Sequence, residues 1–526
     1  MVISFQKFIT IYSFKMVNLP HNNIRPITNT KQLVMKSRVL IFGFLLCCMS
    51  LSAQQKVKEL VTDQYDRNSV SYILVDRNDY YDSDVNHFYN NMTISSKFDV
   101  NTLSTRWMNS SKARPNVLAQ DEVDHFVNKS RLGHEIISYI YNRKADGTFD
   151  DKILIERGLY NAVDQEIINT SVVKVNNLAL ESGEALVNSA YVIVLDFYNL
   201  KTTSSSDNTT YNAYASAYAY KLEAGEDVLA EFYMTGWADE TSSAEEKAQA
   251  RGAFEKLSFQ MKPAATVTAI GSSSGDNASM LKAMNNAYAN IVYELENKMP
   301  AWQTATSIVS TRPLAAKIGT KEGVKNGSRF QAYSYKEDRD GNLKSVKHGM
   351  VRATVVSNNI GVASGTTKPS LFYQISGVQN IKEGYVLKQK NDMKVGATLA
   401  FGLSPAGTRV GLDLDYISNI SRRGSIVYPM FNIGFNFNGG LEALDAMIGF
   451  GYGIPFTRFF EFTPYATVGG YYDMDSEDIA AYAVEPGIRL AATFQPVAIV
   501  VSGGYQLVFG KYTSDLAVKI GLKYTF

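Results

Sequence analysis

The feature that most restricts how this chain can fold is the alternation in its last ten residues, "AVKIGLKYTF" (517–526). Read backwards, Phe526, Tyr524, Leu522, Ile520 and Val518 are apolar, and Thr525, Lys523, Gly521, Lys519 and Ala517 lie between them. A period of two marks a strand with one apolar face and one polar or small face. That pattern suits an amphipathic strand of a soluble sandwich, or the closing strand of a membrane barrel whose apolar face meets lipid. The neighbouring segments decide between the two.

From about residue 391 the chain turns to glycine, aromatics and alternation. Seven further segments precede the last: 393–402, 408–417, 427–437, 446–456, 460–472, 484–494 and 498–510. In 408–417, Val410, Leu412, Leu414 and Tyr416 share a face; in 427–437, Phe431, Ile433, Phe435 and Phe437 do. In 446–456, Ile448, Phe450 and Tyr452 stand opposite Gly449, Gly451 and Gly453. Eight such segments with short turns predict a transmembrane β-barrel, each segment long enough to cross a bilayer when tilted. Asp413, Asp415, Glu485, Arg489, Lys519 and Lys523 are predicted to face inward. The lumen of so small a barrel is filled by side chains, so these charges must pair in a buried ionic network and leave no wide pore. A soluble barrel would need covering elements, and none follows the last segment.

The 32 Tyr and 27 Phe suit β structure and interfacial girdles. With a formal charge of +1 and no arginine-rich tract, no nucleic-acid partner is expected.

An export signal sits inside the chain. "MKSRVLIFGFLLCCMSLSAQQ" starts at Met35 with Lys36 and Arg38, runs through an apolar core from Val39 to Met49 and ends in Ser50, Ser52 and Ala53. This is the charged, apolar, small-residue order of a secretory signal, and its core is too short to span a membrane as a helix. Residues 1–34 are expected to be a mis-annotated extension, with translation starting at Met35 and cleavage after Ser52 or Ala53. Both cysteines, Cys47 and Cys48, fall within the signal. Neither follows a small residue, as a lipoprotein anchor requires, so the mature chain is expected to carry no thiol chemistry.

With its eight alternating segments and the ending "KYTF", the C-terminal quarter resembles the small eight-stranded outer-membrane barrels of the outer membrane protein A and X type. The resemblance implies an outer-membrane protein of a Gram-negative cell. It also implies that Tyr524 and Phe526 form the signal read by the barrel-assembly machinery, and that both barrel ends face the periplasm. The turns "SPAG", "NGGLEALD", "DMDSEDIA" and "GKYTS" are shorter than the functional loops of that family.

The soluble part reads as three pieces: an irregular segment (54–118), an α+β domain with an antiparallel sheet (119–300) and a small all-β module (301–390). Helices are expected at 120–142, 151–168, 243–261 (stopped by Pro263) and 278–299. Strands are expected at 190–200, 211–222, 227–235 and 265–270. "ESGEALVNSAYVIVLDFY" and the β module resemble bacterial envelope proteins of the curli-channel and flagellar-assembly accessory type in general pattern, which transfers no residue role.

Catalytic chemistry is sparse. "GSSSG" (271–275) fits the nucleophile-elbow pattern with Ser273 central, but the downstream partners are limited to His348 with Asp338 or Asp340. His125 and His134, nine apart, cannot share a metal on one helix. Asp76, Asp79, Asp82 and Asp84 lack the glycine and glutamate of a calcium loop. The expectation is therefore no enzyme, no cofactor and no metal. The chain is read as an outer-membrane anchor in lipid whose periplasmic domains bind another envelope protein in a structural or assembly role. The alternatives are a tethered serine hydrolase using Ser273 and a barrel handling small solutes or lipids.

Overall fold

A computed structural model describes residues 67–161, 183–205, 208–337, 343–360, 368–377, 379–476 and 478–526. The segments predicted as extension and signal lie outside the described residues, as does the end of the helix expected at 151–168.

The first sheet is built on two apolar runs. β1 (Ser69–Asp76, "SVSYILVD") and β4 (Ala190–Ser204) are buried on both faces over their apolar stretches, as continuous rather than alternating hydrophobicity requires. Around them lie β2 (Asp99–Val100), β3 (Trp107–Asn109), β5 (Thr209–Glu223) and β6 (Gln260–Ser274), in the order β2-β1-β4-β5-β6 with β3 also on β1. The period of two sorts side chains between two cores. Ile73, Val75, Val192 and Val194 join the helices Gln120–Lys129, Leu132–Ile140 and Ala244–Phe254 on one face. Tyr72, Leu74, Ile193 and Leu195 join Asp82–Asn91 and Met280–Lys298 on the other.

Several expectations are corrected here. The segment expected to be irregular supplies β1, and because β1 runs parallel to β2, β3 and β4, the sheet is mixed rather than antiparallel. Residues 227–235 form a helix, Glu226–Glu231, and a π-helical turn, Phe232–Gly236, because the strand position beside β5 is taken along its whole length by β6. The helix expected over 120–142 breaks at Arg131 (φ 52°). There Gly133 meets the backbone of Phe259 so closely that a Cβ would lie 2.1 Å from its carbonyl oxygen. Pro263 does not end a helix: it sits in edge strand β6 at a bulge, where a missing N–H is tolerated.

Next comes a closed six-stranded barrel, β10-β11-β8-β7-β12-β9. Its strands are β7 (Ala305–Thr311), β8 (Leu314–Ala316), β9 (Arg329–Glu337), β10 (Leu343–Val355), β11 (Ser370–Gln374) and β12 (Val386–Lys390). Phe330, Val351, Phe372 and Leu387 fill it.

The second barrel is formed by β13 (Val395–Ser404), β14 (Gly407–Tyr416), β16 (Ile426–Phe437), β17 (Leu441–Pro455), β18 (Phe460–Asp473), β19 (Asp478–Thr493), β20 (Val497–Gly510) and β21 (Asp515–Thr525). The two-residue β15 (Asn419–Ile420) only extends the edge of β16. β14 pairs with β16, and β13 pairs with both β14 and β21, which closes eight antiparallel strands into a ring. A path of paired residues from Tyr482 through Gly470, Ala446, Ile433, Leu412, Leu399, Leu522 and Ile499 returns to β19 at Ala492, ten positions further on. With a rise of about 3.3 Å per residue and strands about 4.8 Å apart, that stagger tilts the strands by about 40°. Ten residues at this tilt span about 25 Å, the height of an outer-membrane barrel's apolar band. The outward positions supply that band: Leu399, Phe435, Ile448, Val468, Ile488 and Ile520 are exposed. This is a transmembrane β-barrel. Among the described residues, no helix is long and apolar enough to cross a membrane.

Candidate functional site

The inward positions of the barrel hold three charged layers. Nearest the six-stranded module, Asp415 (3% exposed) accepts hydrogen bonds from Lys523 Nζ at 2.7 Å on both oxygens and from Arg489 Nη1 at 2.8 Å. Arg489 also lies 3.9 Å from Glu461, whose other oxygen accepts from the Tyr428 hydroxyl at 2.9 Å. Both cations sit over the Tyr428 ring, 4.9 and 5.0 Å from its centre. In the middle layer Glu485 is fully buried and accepts from Tyr465 and Gln506 at 2.5 Å and from Lys519 at 3.2 Å. In the far layer Arg409 donates to Asp445 at 2.9 Å and to Asp413 at 3.0 Å, while Asn436 donates to Asp445 at 2.8 Å.

These layers fit because the inward row contains glycines. A Cβ on Gly396 would lie 2.2 Å from Lys523 and 2.5 Å from Asp415; one on Gly434 would lie 2.5 Å from Arg409. The charges balance in the first two layers, so each ion finds a partner within hydrogen-bonding distance in place of water. Side chains of the three layers occupy the lumen, as expected in so small a barrel.

All six residues predicted for the lumen occupy it, and Asp415, Arg489 and Lys523 meet in one cluster. Sequence reasoning missed Arg409, Asp445, Glu461, Tyr465 and Gln506. Arg409 has the same strand parity as Asp413 and Asp415, a signal that could have found it. Asp445 lay one residue outside the segment read as 446–456. Tyr524 lies at the end of the last strand and Phe526 just beyond it, both exposed, with ring centres 4.8 Å apart.

The other candidates are not brought together. Ser273 lies inside β6 opposite Tyr211, with its hydroxyl accepting from the Ser279 amide at 3.3 Å, so it occupies no elbow. His348, in the separate module, bonds Ser334 at 2.7 Å and stacks on Tyr385. Asp338 and Asp340 lie outside the described residues. The acidic loop is held by its own backbone and Arg114: Asp76 accepts from Asn78 and Asp79 from Tyr81, while Asp79 and Asp82 pair with the guanidinium. His125 and His134 fall on the two separate helices.

The six-stranded module covers the end of the large barrel at which β13 starts and β21 stops. Arg329 donates to the Thr525 carbonyl at 3.3 Å and to the Asn391 carbonyl at 2.8 Å. Asn326 donates to Ile420 O at 2.8 Å and accepts from Ile420 N at 2.9 Å. Asn391 reaches Tyr293 O at 3.0 Å and Asn297 at 2.8 Å, tying in the last helix of the α+β domain. Arg329, Arg352 and Lys394 surround Asp392. Burial pushes the pKa of both Arg329 and Lys394 down, and Arg352 adds to the effect at each. Between module and barrel remains a cavity of about 60 Å³, lined in part by Arg352, Tyr373, Tyr428, Arg458, Glu461 and Lys523.

The fold and lumen therefore define an eight-stranded transmembrane barrel joined to an α+β domain through a small closed β module. Comparison with family models gives no match, and neither does comparison with curated proteins. Among solved structures, a de novo designed transmembrane β-barrel is similar at 16% identity, with 26% of this chain and 98% of that chain covered, TM-score 0.18. The designed barrel TMB2.3 is similar at 19% identity, with 25% and 94% covered, TM-score 0.18. The outer membrane channel DcaP of Acinetobacter baumannii is similar at 9% identity, with 61% and 84% covered, TM-score 0.15. Scores this low establish no relationship, and the barrel stands on its strand pairing and outward apolar band.

Proposed function

We propose that this is an outer-membrane anchored envelope protein whose soluble domains lie in the periplasm and bind another envelope component without catalysis. The observation that carries the reading is the covered mouth. Asn391, Arg329 and Asn326 tie α+β domain, module and barrel together, so the barrel holds the soluble domains at a fixed place beside the membrane. A lumen filled by paired charges favours an anchor over a channel. The periplasmic position rests on the resemblance to small outer-membrane barrels, whose ends face the periplasm; with the termini on that side, a filled eight-stranded lumen leaves the soluble domains no route outward.

Protease added to intact cells should spare residues 67–390, and crosslinkers placed on the α+β domain should capture one recurring envelope protein. Digestion from outside would invert the topology. Replacing Ser273 with Ala should leave the cellular phenotype intact; its loss with the fold preserved would favour the tethered hydrolase.

A further inference from the structure

The cavity between module and barrel is not an inert gap. It opens at the level where the β17–β18 turn, "PFTRFF", meets the module. Within that turn Phe456 and Phe460 are exposed and stacked, with ring centres 6.1 Å apart and planes 12° apart. They continue the outward apolar face past the strand ends, where aromatic rings favour the membrane interface. Arg458, between them in sequence, turns the other way and reaches the module at Gly377 O (3.4 Å) and Asn380. The turn thus holds apolar rings toward lipid and a guanidinium toward the cavity.

The inner wall carries a second, independent sign of a missing acceptor. Arg352 is 1% exposed and lines the cavity. Its Nη1 donates to Gly327 O at 2.8 Å and to Asp392, while Nη2 has no hydrogen-bond partner. A buried guanidinium donor without an acceptor is costly, and carboxylate or phosphate oxygens are the acceptors that match its fork. Of the lining cations, Lys523 is neutralised by Asp415 and Arg352 pairs with Asp392 through Nη1 alone, so the donor left without an acceptor is Arg352 Nη2, while the lining carboxylate Glu461 is held by Tyr428. The cavity, about 60 Å³, exceeds what a single water needs and leaves room for a compact polar group.

We propose that this cavity is a headgroup site for one phosphate-bearing lipid of the leaflet that borders the module. The phosphate lies between Arg352 and Arg458, and the acyl chains leave past Phe456 and Phe460. Basic pockets beside membrane-spanning elements take lipid headgroups for the same reason: charge and depth coincide with the phosphate layer. The site depends on the barrel lying in a membrane and not on any protein partner.

The test uses the full chain in an uncharged detergent, with native mass spectrometry and thermal unfolding. Three probes are compared: phosphatidylglycerol, a diacylglycerol with the same chains, and inorganic phosphate. One phosphatidylglycerol per chain should be retained and should raise the unfolding midpoint, while diacylglycerol should do neither. Arg458→Ala and Arg352→Lys should each weaken retention at least tenfold; the second keeps a cation beside Asp392 but removes Nη2. Equal retention by wild type and both variants, or none by wild type, would overturn the proposal. So would an equal shift from inorganic phosphate, which would assign the site to the free ion. Heat-modifiable gel mobility of the same samples reports separately whether the barrel is folded.

Discussion

Replacing Asp415 with Asn removes one charge at the centre of the lumen while keeping the side chain's size. Asp415 is 3% exposed and holds two cations, Lys523 at 2.7 Å and Arg489 at 2.8 Å. Each is a charge-assisted hydrogen bond worth about 1.5–3 kcal/mol. Breaking a buried ion pair from one side costs about 3–5 kcal/mol, because the orphaned charge stays buried. Arg489 keeps the more distant Glu461, and both cations keep the face of the Tyr428 ring. The expected loss is therefore about 4 kcal/mol, close to a thousandfold in the folding constant. Adding Lys523→Met should restore about 2 kcal/mol, within the range found for contacting residues.

The assay is urea unfolding in phospholipid vesicles, following the folded fraction of the barrel by gel mobility. The chain's three tryptophans, Trp107, Trp237 and Trp302, all lie before the barrel, so their emission reports the soluble part alone and should not change. A loss below about 1 kcal/mol, or a double variant whose effects simply add, would refute the view that the lumen is a dry, paired network.

Gly271→Ala should lower the tryptophan-monitored unfolding midpoint, since its Cβ would lie 2.1–2.2 Å from the backbone of Ala287 and Ala283, an overpacking cost of about 1–3 kcal/mol. Gly252→Ala, on an open face of helix Ala244–Phe254, should instead stabilise by about 0.5–1 kcal/mol; the same sign for both would refute the close-approach account. His134 lies edge-on to Phe254 and Phe259, and burial, then Arg131, pushes its pKa down. Its folded pKa is below its unfolded one, so its contribution is present above about pH 6.5 and is lost as pH falls through the folded pKa. His134→Phe should therefore flatten the acid limb of soluble-domain stability, and an unchanged limb would exclude His134 as its source. Changing Tyr524 and Phe526 together to Ser should abolish heat-modifiable mobility while fragment 67–390 stays soluble; normal insertion would count against the terminal aromatic signal.

The division between what the sequence determined and what the tertiary structure decided follows the range of the interactions. In the barrel every strand's two faces meet chemically different surroundings, lipid outside and packed charge inside, so the period of two is written into each segment. That is why eight strands, their outward residues and the six inward charges could be read locally, and why Arg409 was within reach by parity. Register lies outside local sequence: the ten-residue stagger brings Asp415, Arg489 and Lys523 together from three strands, and only closure of the ring fixes which residues of each strand are level. The soluble part is harder because its central strands are buried on both faces and lose their alternation. β1, buried on both faces, lay hidden in a segment that looked irregular, and its parallel pairing with β4 needed a partner more than a hundred residues away. The covered mouth is furthest from sequence reasoning. Arg329, Arg352 and Arg458 look like ordinary surface arginines of a β module and a turn, and only the docking of one barrel on another buries two of them and turns the third inward.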